Sequence, residues 1–294
     1  MKIFNYALRM ARYALPFCVA GLLMTGCGSD SGGGSETKDQ VSQETIIKLG
    51  MISHLNTSEK QMEEYLFKVQ EKARAKVINH VPLFFDNLNL MQMGIESGQV
   101  DVISTYKIVA EYLLANNDRY EISNDDWIKG LADNFCFAVR KEDTALKADL
   151  DKVIGEMEAD GSLDKLVKEY IVDVDKGQAP PAIEIPKIDG ADTIKVGVTG
   201  DLPPLDYVSA DGNASGFNTA LLAEVANRLN KNIEIVNIDS GARAEALNAD
   251  QIDVIFWAIL PVGNDMPADL DKPEGVEFSV PYFQDNITHL KLKN

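Results

Sequence analysis

The sequence predicts an α/β protein of two similar lobes, each a mostly parallel sheet flanked by helices, and three observations lead there. Phrases repeat along the chain. Ile47-Lys-Leu-Gly-Met-Ile-Ser53, Ser97-Gly-Gln-Val-Asp-Val-Ile103 and Asp133-Asn-Phe-Cys-Phe-Ala-Val139 return as Ile194-Lys-Val-Gly-Val-Thr-Gly200, Ala249-Asp-Gln-Ile-Asp-Val-Ile255 and Asp285-Asn-Ile-Thr-His-Leu-Lys291, displaced by 147, 152 and 152 positions. A near-constant offset implies two copies of one structural unit. Within each copy, strand and helix patterns alternate with short connections, which implies parallel strands covered by helices on both faces. Between the copies, residues 173–192 hold Gln178-Ala-Pro-Pro-Ala182 and Ile185-Pro186 and have no hydrophobic period, as a linker would.

At the amino end, Lys2, Arg9 and Arg12 precede an apolar run from Tyr13 to Met24, closing on Leu23-Met-Thr-Gly-Cys27. A basic stretch, a short apolar core and small residues before the cut describe an export signal over 1–26, too short to span a bilayer as a mature helix. A cysteine directly after Gly26 is similar to a bacterial lipobox, which implies lipidation at Cys27; an ordinary cleaved signal or a single anchor helix are the alternatives. Residues 27–45, Gly/Ser-rich at first, read as a flexible tether.

The first copy opens with a β-rich strand at 46–51 and a polar turn at 53–57. Ser58 can cap a helix in which Met62, Tyr65, Leu66, Val69 and Ala73 recur at helical spacing. A strand at 77–81 leads through Pro82 to Asn87, and Leu88, Met91, Gly94 and Ile95 mark a second helix that Gly98 ends. A third strand spans 100–104, a helix 106–116, and a further strand 135–140 after a loop that holds Trp127. Helices follow at 144–160 and 163–170. In the second copy, strand 194–199, a long loop with Pro203-Pro204, helix 218–229, strand 233–237, helix 243–248 and strand 253–257 repeat the order. A loop at 261–275, apolar pieces at 276–278 and 280–283, and a last strand at 286–292 complete the chain.

Composition narrows the functions. Forty-five per cent apolar and 25% charged residues are ordinary for a globular protein. The formal charge is −18, and removing 1–26 takes away three basic and no acidic groups, lowering it to −21. That charge disfavours nucleic acids and anionic lipid surfaces as partners. Of three cysteines, Cys18 lies in the signal and Cys27 is the lipidation candidate, so Cys136 stands alone in an apolar strand and reads as core, with no disulfide framework. The histidines, His54, His80 and His289, lack metal-ligand spacing, and there is neither an activated Ser or Cys constellation nor a Gly-rich phosphate loop. The sequence therefore predicts no enzyme, no cofactor and no metal.

Ile194 to Tyr207, then Gly216-Phe-Asn-Thr-Ala-Leu-Leu222 and Ile252-Asp-Val-Ile255, resemble the amino-acid type (family 3) of bacterial periplasmic solute-binding proteins, and Phe278-Ser-Val-Pro-Tyr-Phe283 is similar to that family's exit from its first lobe. Gly98 to Ile103, Val109 to Leu114, Phe137 to Lys141 and Ala159 to Leu166 resemble its second lobe and tail. The resemblance implies a two-lobed type II periplasmic-binding-protein-like fold with two hinge strands, but with the lobes in swapped order, as a circular permutation would give. On that reading 46–132 is one lobe, 133–140 a hinge strand, 141–172 terminal helices packed on the other lobe, 173–192 the joined old ends, 193–284 the other lobe and 285–294 the second hinge strand. Two complete α/β domains in tandem are the alternative.

In such a fold, ligands bind outside the carboxyl ends of strands, in a cleft that closes by hinge motion. The loops there nominate His54, Asn56 and Thr57, whose turn leads into a helix N-terminus suited to an anion, together with Tyr106, Asp201, Tyr207, Trp257 and Tyr282. Asp133, Asn134, Asp285 and Asn286 enter the hinges. Several of these have bland readings: Ser58 as a plain cap, Trp257 and Tyr207 as core, His54 as a solvated turn residue. The chain also departs from the family. Tyr106 stands where the resemblance implies an Asp for a ligand ammonium group, Leu260-Pro-Val-Gly-Asn-Asp265 replaces the stretch that carries an Arg for the α-carboxylate, and Leu205 replaces an aromatic. A ligand other than a free α-amino acid, or loss of binding, is the expectation. The reading as a whole is a monomeric, lipid-anchored solute-binding protein of the periplasm or cell surface that serves an ABC-type importer permease. A sensory or structural lipoprotein is the alternative, and a dehydratase using Asp201 or Asp285 a further one.

Overall fold

The computed structural model describes residues 46–293 apart from 74–77, 210 and 263–266. The expected signal, Cys27 and the tether lie outside the described residues. The first copy builds β1 (Ile46–Ile52), α1 (Glu59–Lys72), β2 (Asn79–Phe85), α2 (Leu88–Glu96), β3 (Val102–Tyr106), α3 (Lys107–Asn116) and a short β4 (Tyr120–Ile122). Then come β5 (Ala132–Arg140), α4 (Thr144–Asp160) and α5 (Ser162–Val167), which runs on as a π-helical turn, Lys168–Val172. The second copy builds β6 (Thr193–Val198), three short strands β7 (Asp201–Leu202), β8 (Asp206–Val208) and β9 (Ala214–Ser215), α6 (Phe217–Leu229), β10 (Asn232–Asn237), α7 (Arg243–Asn248) and β11 (Val254–Val262). Strands β12 (Val276–Phe278) and β13 (Phe283–Leu292) close the chain.

Local chemistry accounts for most boundaries. Ser58 caps α1 in a full capping box: its hydroxyl accepts from the amide of Gln61, whose side chain accepts in return from the Ser58 amide. Asn87 caps α2 by accepting from Leu90 N–H at 2.9 Å. Gly161, in the left-handed region at φ 77°, ends α4. The loop expected around Pro203-Pro204 is more ordered than the sequence suggests, because β7, β8 and β9 pair into their own small antiparallel sheet. Gly216 sits at φ 89°, and a Cβ there would lie 2.5 Å from the Pro204 carbonyl oxygen. Gly216→Ala is therefore expected to cost about 2 kcal/mol or more, from backbone strain plus steric conflict, read as a lower urea midpoint at unchanged slope.

The main sheet runs β10-β6-β11-β5-β13-β3-β1-β2. Its ends are two parallel triplets of the same order: β2-β1-β3 at one end and β10-β6-β11 at the other. Each triplet is wound by the strand–helix–strand–helix–strand pattern read from the repeats, so the α/β expectation of two mostly parallel units holds. Between them β5 and β13 lie antiparallel to each other and to their outer neighbours. The two repeated Asp-Asn phrases meet here in register, Asp285 opposite Asp133. Two carboxylates so placed repel, and each turns to its own donor: Asp133 accepts from the Tyr106 hydroxyl at 2.8 Å, and Asp285 from Ile108 N–H at 2.9 Å.

Alternation with the neighbouring helices makes the strands nearly wholly buried, as β3 and most of β5 are. Phe137, Phe256 and Tyr282 form the aromatic centre of the core, with Phe137 edge-on to Phe256 at 5.0 Å. Cys136 is fully buried, and burial pushes its thiol up to about 12, so the core reading of this residue stands. Helices α4 and α5 lie against α6, where Arg228 reaches Asp160 at 2.8 Å and the Ser162 hydroxyl at 2.9 Å. Among the described residues no helix is long and apolar enough to cross a membrane.

Candidate functional site

The carboxyl ends of β1 and β3 face elements of the other triplet across β5 and β13, and a cavity of about 60 Å3 lies between them. Met51, Ile52, Ser53 and His54 line it from β1 and the following turn, and Ser104, Thr105 and Tyr106 from β3. Leu202, Arg243, Trp257, Ile259 and Asp271 line the opposite wall, with Asp133 and Ile287 at the base. A second cavity of about 60 Å3 adjoins it, sharing Met51, His54, Ser104, Asp133, Ile259, Asp271 and Ile287 and adding the apolar Met62, Leu66, Val69, Trp127, Ile128 and Leu131. The site is thus a polar chamber with an apolar annex.

Arg243 is the cation of the polar chamber. It begins α7 and is 2% exposed. Its guanidinium donates to the Ser240 carbonyl (3.0 Å), the Ser240 hydroxyl (2.9 Å) and the Trp257 carbonyl (2.7 Å), and its Cζ stands 4.9 Å from the Trp257 ring centroid. Burial pulls its pKa down to about 10, with Asp271, Asp206 and Tyr106 opposing, so it stays charged at neutral pH. Trp257 itself has φ 70°, rare for a bulky residue, at the point where the pairing of β11 with β5 slips register. Backbone strain of that kind is retained where surrounding structure fixes a side chain for a purpose. Tyr106 packs edge-on against both Phe135 (4.7 Å) and Trp257 (5.8 Å), completing an aromatic wall.

The acids answer this cation. Asp133 is buried and its pKa is raised by burial, partly offset by the Tyr106 hydrogen bond. Asp271 accepts from the backbone N–H groups of Leu55 (3.1 Å), Asn56 (2.9 Å) and Thr57 (3.0 Å), and its Oδ2 lies 3.5 Å from His54 Nδ1. Burial alone would raise its pKa; His54 and the amides hold it below the usual carboxylate range. The turn before α1, expected to be an anion cradle, therefore holds this chain's own carboxylate.

Of the residues nominated from sequence, His54, Tyr106, Trp257 and Asp133 line the polar chamber, and Asn56 and Thr57 supply amides at its edge. Asp201 stands beside it and spends its carboxylate on Leu88 N–H at the start of α2. Tyr207, half-buried in the small sheet, and Tyr282, in the aromatic core, do not line either cavity, because pairing and packing turn them elsewhere. Asn134 and Asn286 take ordinary ladder positions opposite Gln284 and Ala132. Sequence reasoning missed Arg243 and Asp271, whereas Leu202 and Thr105 lie in the strand-end loops 199–207 and 105–107 where the site is expected. Arg243 sits in a short helix whose pattern gives no sign that its cation turns inward, and Asp271 lies in an acidic, proline-bearing loop that reads as a solvated surface.

Residues 194–293 match the family model of bacterial extracellular solute-binding proteins, family 3. A probable histidine-binding protein of Campylobacter jejuni is 32% identical over 104 residues, 35% of this chain and 37% of that protein, so the chain spans little more than a third of the length of this relative. Among solved structures, the zinc-bound ligand-binding component of an ABC-type import system from Staphylococcus aureus aligns at TM-score 0.40 and 11% identity, covering 84% of this chain and 66% of the other. The GluR0 ligand-binding core from Nostoc punctiforme with L-glutamate aligns at TM-score 0.37 and 10% identity, covering 85% of each chain.

Proposed function

We infer that this chain, whose residues 194–293 match the family 3 extracellular solute-binding proteins, captures a small solute in the cleft between its two half-sheets and delivers it to an ABC-type importer. The observation that carries the reading is the position of the chamber. It lies at the carboxyl ends of β1 and β3, over the two antiparallel strands that link the parallel triplets, where a bound molecule would touch both halves and bias their closure. The basic residues, short apolar run and Gly26-Cys27 pair at the amino end support a monomer outside the cytoplasm, held to a membrane by lipid on Cys27. Order along the chain supports a circularly permuted lobe arrangement: the helices that pack on α6 precede it, and the family match falls in the last third.

The walls describe the solute. A buried guanidinium and an aromatic face favour a group with negative or π character, Asp133 and Thr105 favour a donor, and the annex favours a small apolar tail. Arg243 gives the chamber a cation that the sequence of 260–265 lacks, so an amino-acid-like solute remains compatible with it. Asp201 and Asp285 each accept from a helix N-terminus and neither lines the two cavities, which weighs against either as the acid of a dehydratase.

The test is a thermal-shift survey of the exported chain against amino acids, small carboxylates and amines. A true solute at about one hundred times its Kd should stabilise by about 2.7 kcal/mol, a rise of several degrees. A survey in which nothing shifts the transition would count against solute capture. The second reading, a sensory or structural lipoprotein on the same scaffold, is favoured by one observation, the Asp271 carboxylate seated in the amide cradle. A stable protein partner other than a permease, recovered with a chain that binds no solute, would select it.

A further inference from the structure

The two half-sheets are joined across the cleft by more than β5 and β13. Ser240 N–H donates to the Asp86 carbonyl and the Ser240 hydroxyl to the Ser53 carbonyl, both at 2.9 Å. Leu88 N–H donates to Asp201. The densest bridge is at Asp271, whose side chain is 4% exposed. Three consecutive backbone N–H groups converge on its carboxylate, Leu55 on one oxygen and Asn56 and Thr57 on the other. The Thr57 hydroxyl returns to the adjoining Leu270 carbonyl at 3.2 Å. Asp271 and the cradle are more than 200 residues apart in sequence, so none of these bonds is local.

We propose that Asp271 is an internal latch, holding the cleft closed through the chain's own atoms so that closure does not require a solute. The energetics point the same way. Charge-assisted bonds to the three amides of the turn that leads into α1 are stronger than neutral ones. Burial would penalise this carboxylate heavily if the cradle released it without admitting water. The bond set is therefore two-state: engaged and dry, or open and solvated. Capture is then limited by the open fraction, because the apparent Kd equals the intrinsic Kd divided by that fraction. Residue 271, although it also lines the chamber, thus sets affinity through the closing equilibrium. This rests on the solute-capture reading only in taking the halves to part and close.

Hydrogen exchange on the exported chain tests it without any solute. Two amides bridge the halves away from Asp271, Ser240 to Asp86 and Leu88 to Asp201. Two others lie within one half each, Asp101 to Lys48 and Ile238 to Val198. In Asp271→Asn, which keeps the shape and loses the charge, and in Asp271→Ala, exchange at Ser240 and Leu88 should quicken at least tenfold while Asp101 and Ile238 keep their rates. Acceleration confined to residues 55–57 would reduce Asp271 to a local cap and overturn the latch. Acceleration of all four reporters in both variants would also overturn it, since Asp271 would then act on the fold as a whole. Because no solute enters this measurement, its failure is distinct from a failed solute survey.

Discussion

Arg243→Met should lower the unfolding midpoint by roughly 10 °C and remove solute binding. Methionine fills much of the same volume but returns nothing to the Ser240 and Trp257 carbonyls, which the guanidinium reaches at 3.0 and 2.7 Å. Each buried acceptor left without a donor costs about 1–3 kcal/mol, and breaking a buried charged network typically costs about 3–5 kcal/mol. Against this stands the recovered cost of burying a cation, evident in a pKa pulled down to about 10. The balance is a loss of about 3 kcal/mol, which at roughly 2–4 °C per kcal/mol for a domain of this size gives the stated shift. Arg243→Lys separates charge from shape, because an ammonium cannot span two carbonyls and a hydroxyl as the planar fork does. Calorimetry on both variants reads the stability term and titration with the solute found by thermal shift reads the binding term. A midpoint within 2 °C of the parent for Arg243→Met would show that the guanidinium is dispensable to the cleft wall.

The fold was more legible than the site for a physical reason. Strands buried on both faces need continuous apolar runs, and those runs, Val254 to Leu260 or Phe135 to Val139, stand out in any sequence window. Repetition then doubled the signal, and the Asp-Asn pairs located the antiparallel strands to within a residue or two: β5 begins at Ala132 and β13 at Phe283. Boundaries slipped where packing overrode composition. The strand expected at 77–81 forms over Asn79–Phe85 despite Pro82, since β2 is an edge strand and its proline loses no ladder bond to a further neighbour. Site residues were legible where a loop position alone gives the role, as for His54 and Trp257. They were hidden where the role depends on a partner distant in sequence. Nothing near Asp271 marks it as buried, because what buries it is a turn more than 200 residues away. The anion preference of that turn was readable; that an acid of the same chain meets it was not.

Asp201→Asn should raise stability at neutral pH and remove a pH dependence that the parent shows between about pH 4 and pH 6. Asp201 is largely buried, its Oδ1 has no hydrogen-bond partner, and its other oxygen accepts from Leu88. Burial pushes its pKa up to about 6 from an ordinary 3.8, with Asp206 adding repulsion and the Leu88 and Asn89 amides opposing. A raised pKa means that the folded, closed protein holds this proton more tightly than the unfolded chain. The contribution is therefore fully favourable below about pH 4 and is lost as pH rises through 6. About two pH units at 1.36 kcal/mol each give a penalty of about 3 kcal/mol for the ionised form at pH 7. Asparagine keeps an oxygen for the Leu88 amide and never ionises, so it escapes that penalty. Other carboxylates behave oppositely: Asp125, held low by His289, contributes stability that is lost as pH falls through its folded pKa. The informative quantity is thus the difference between variant and parent, which cancels them. It should be near zero at pH 4 and grow to about 3 kcal/mol in favour of Asp201→Asn by pH 7, measured by urea unfolding at each pH. A difference that stays flat across this range would mean that Asp201 is solvated and that the contact with α2 is an ordinary surface cap. A difference of the stated size would make the start of α2 a second place where the cleft's closure depends on a buried carboxylate. It would be opposite in sign to Asp271, so that mild acid would relieve the burial penalty at Asp201 as stronger acid released the contact at Thr57.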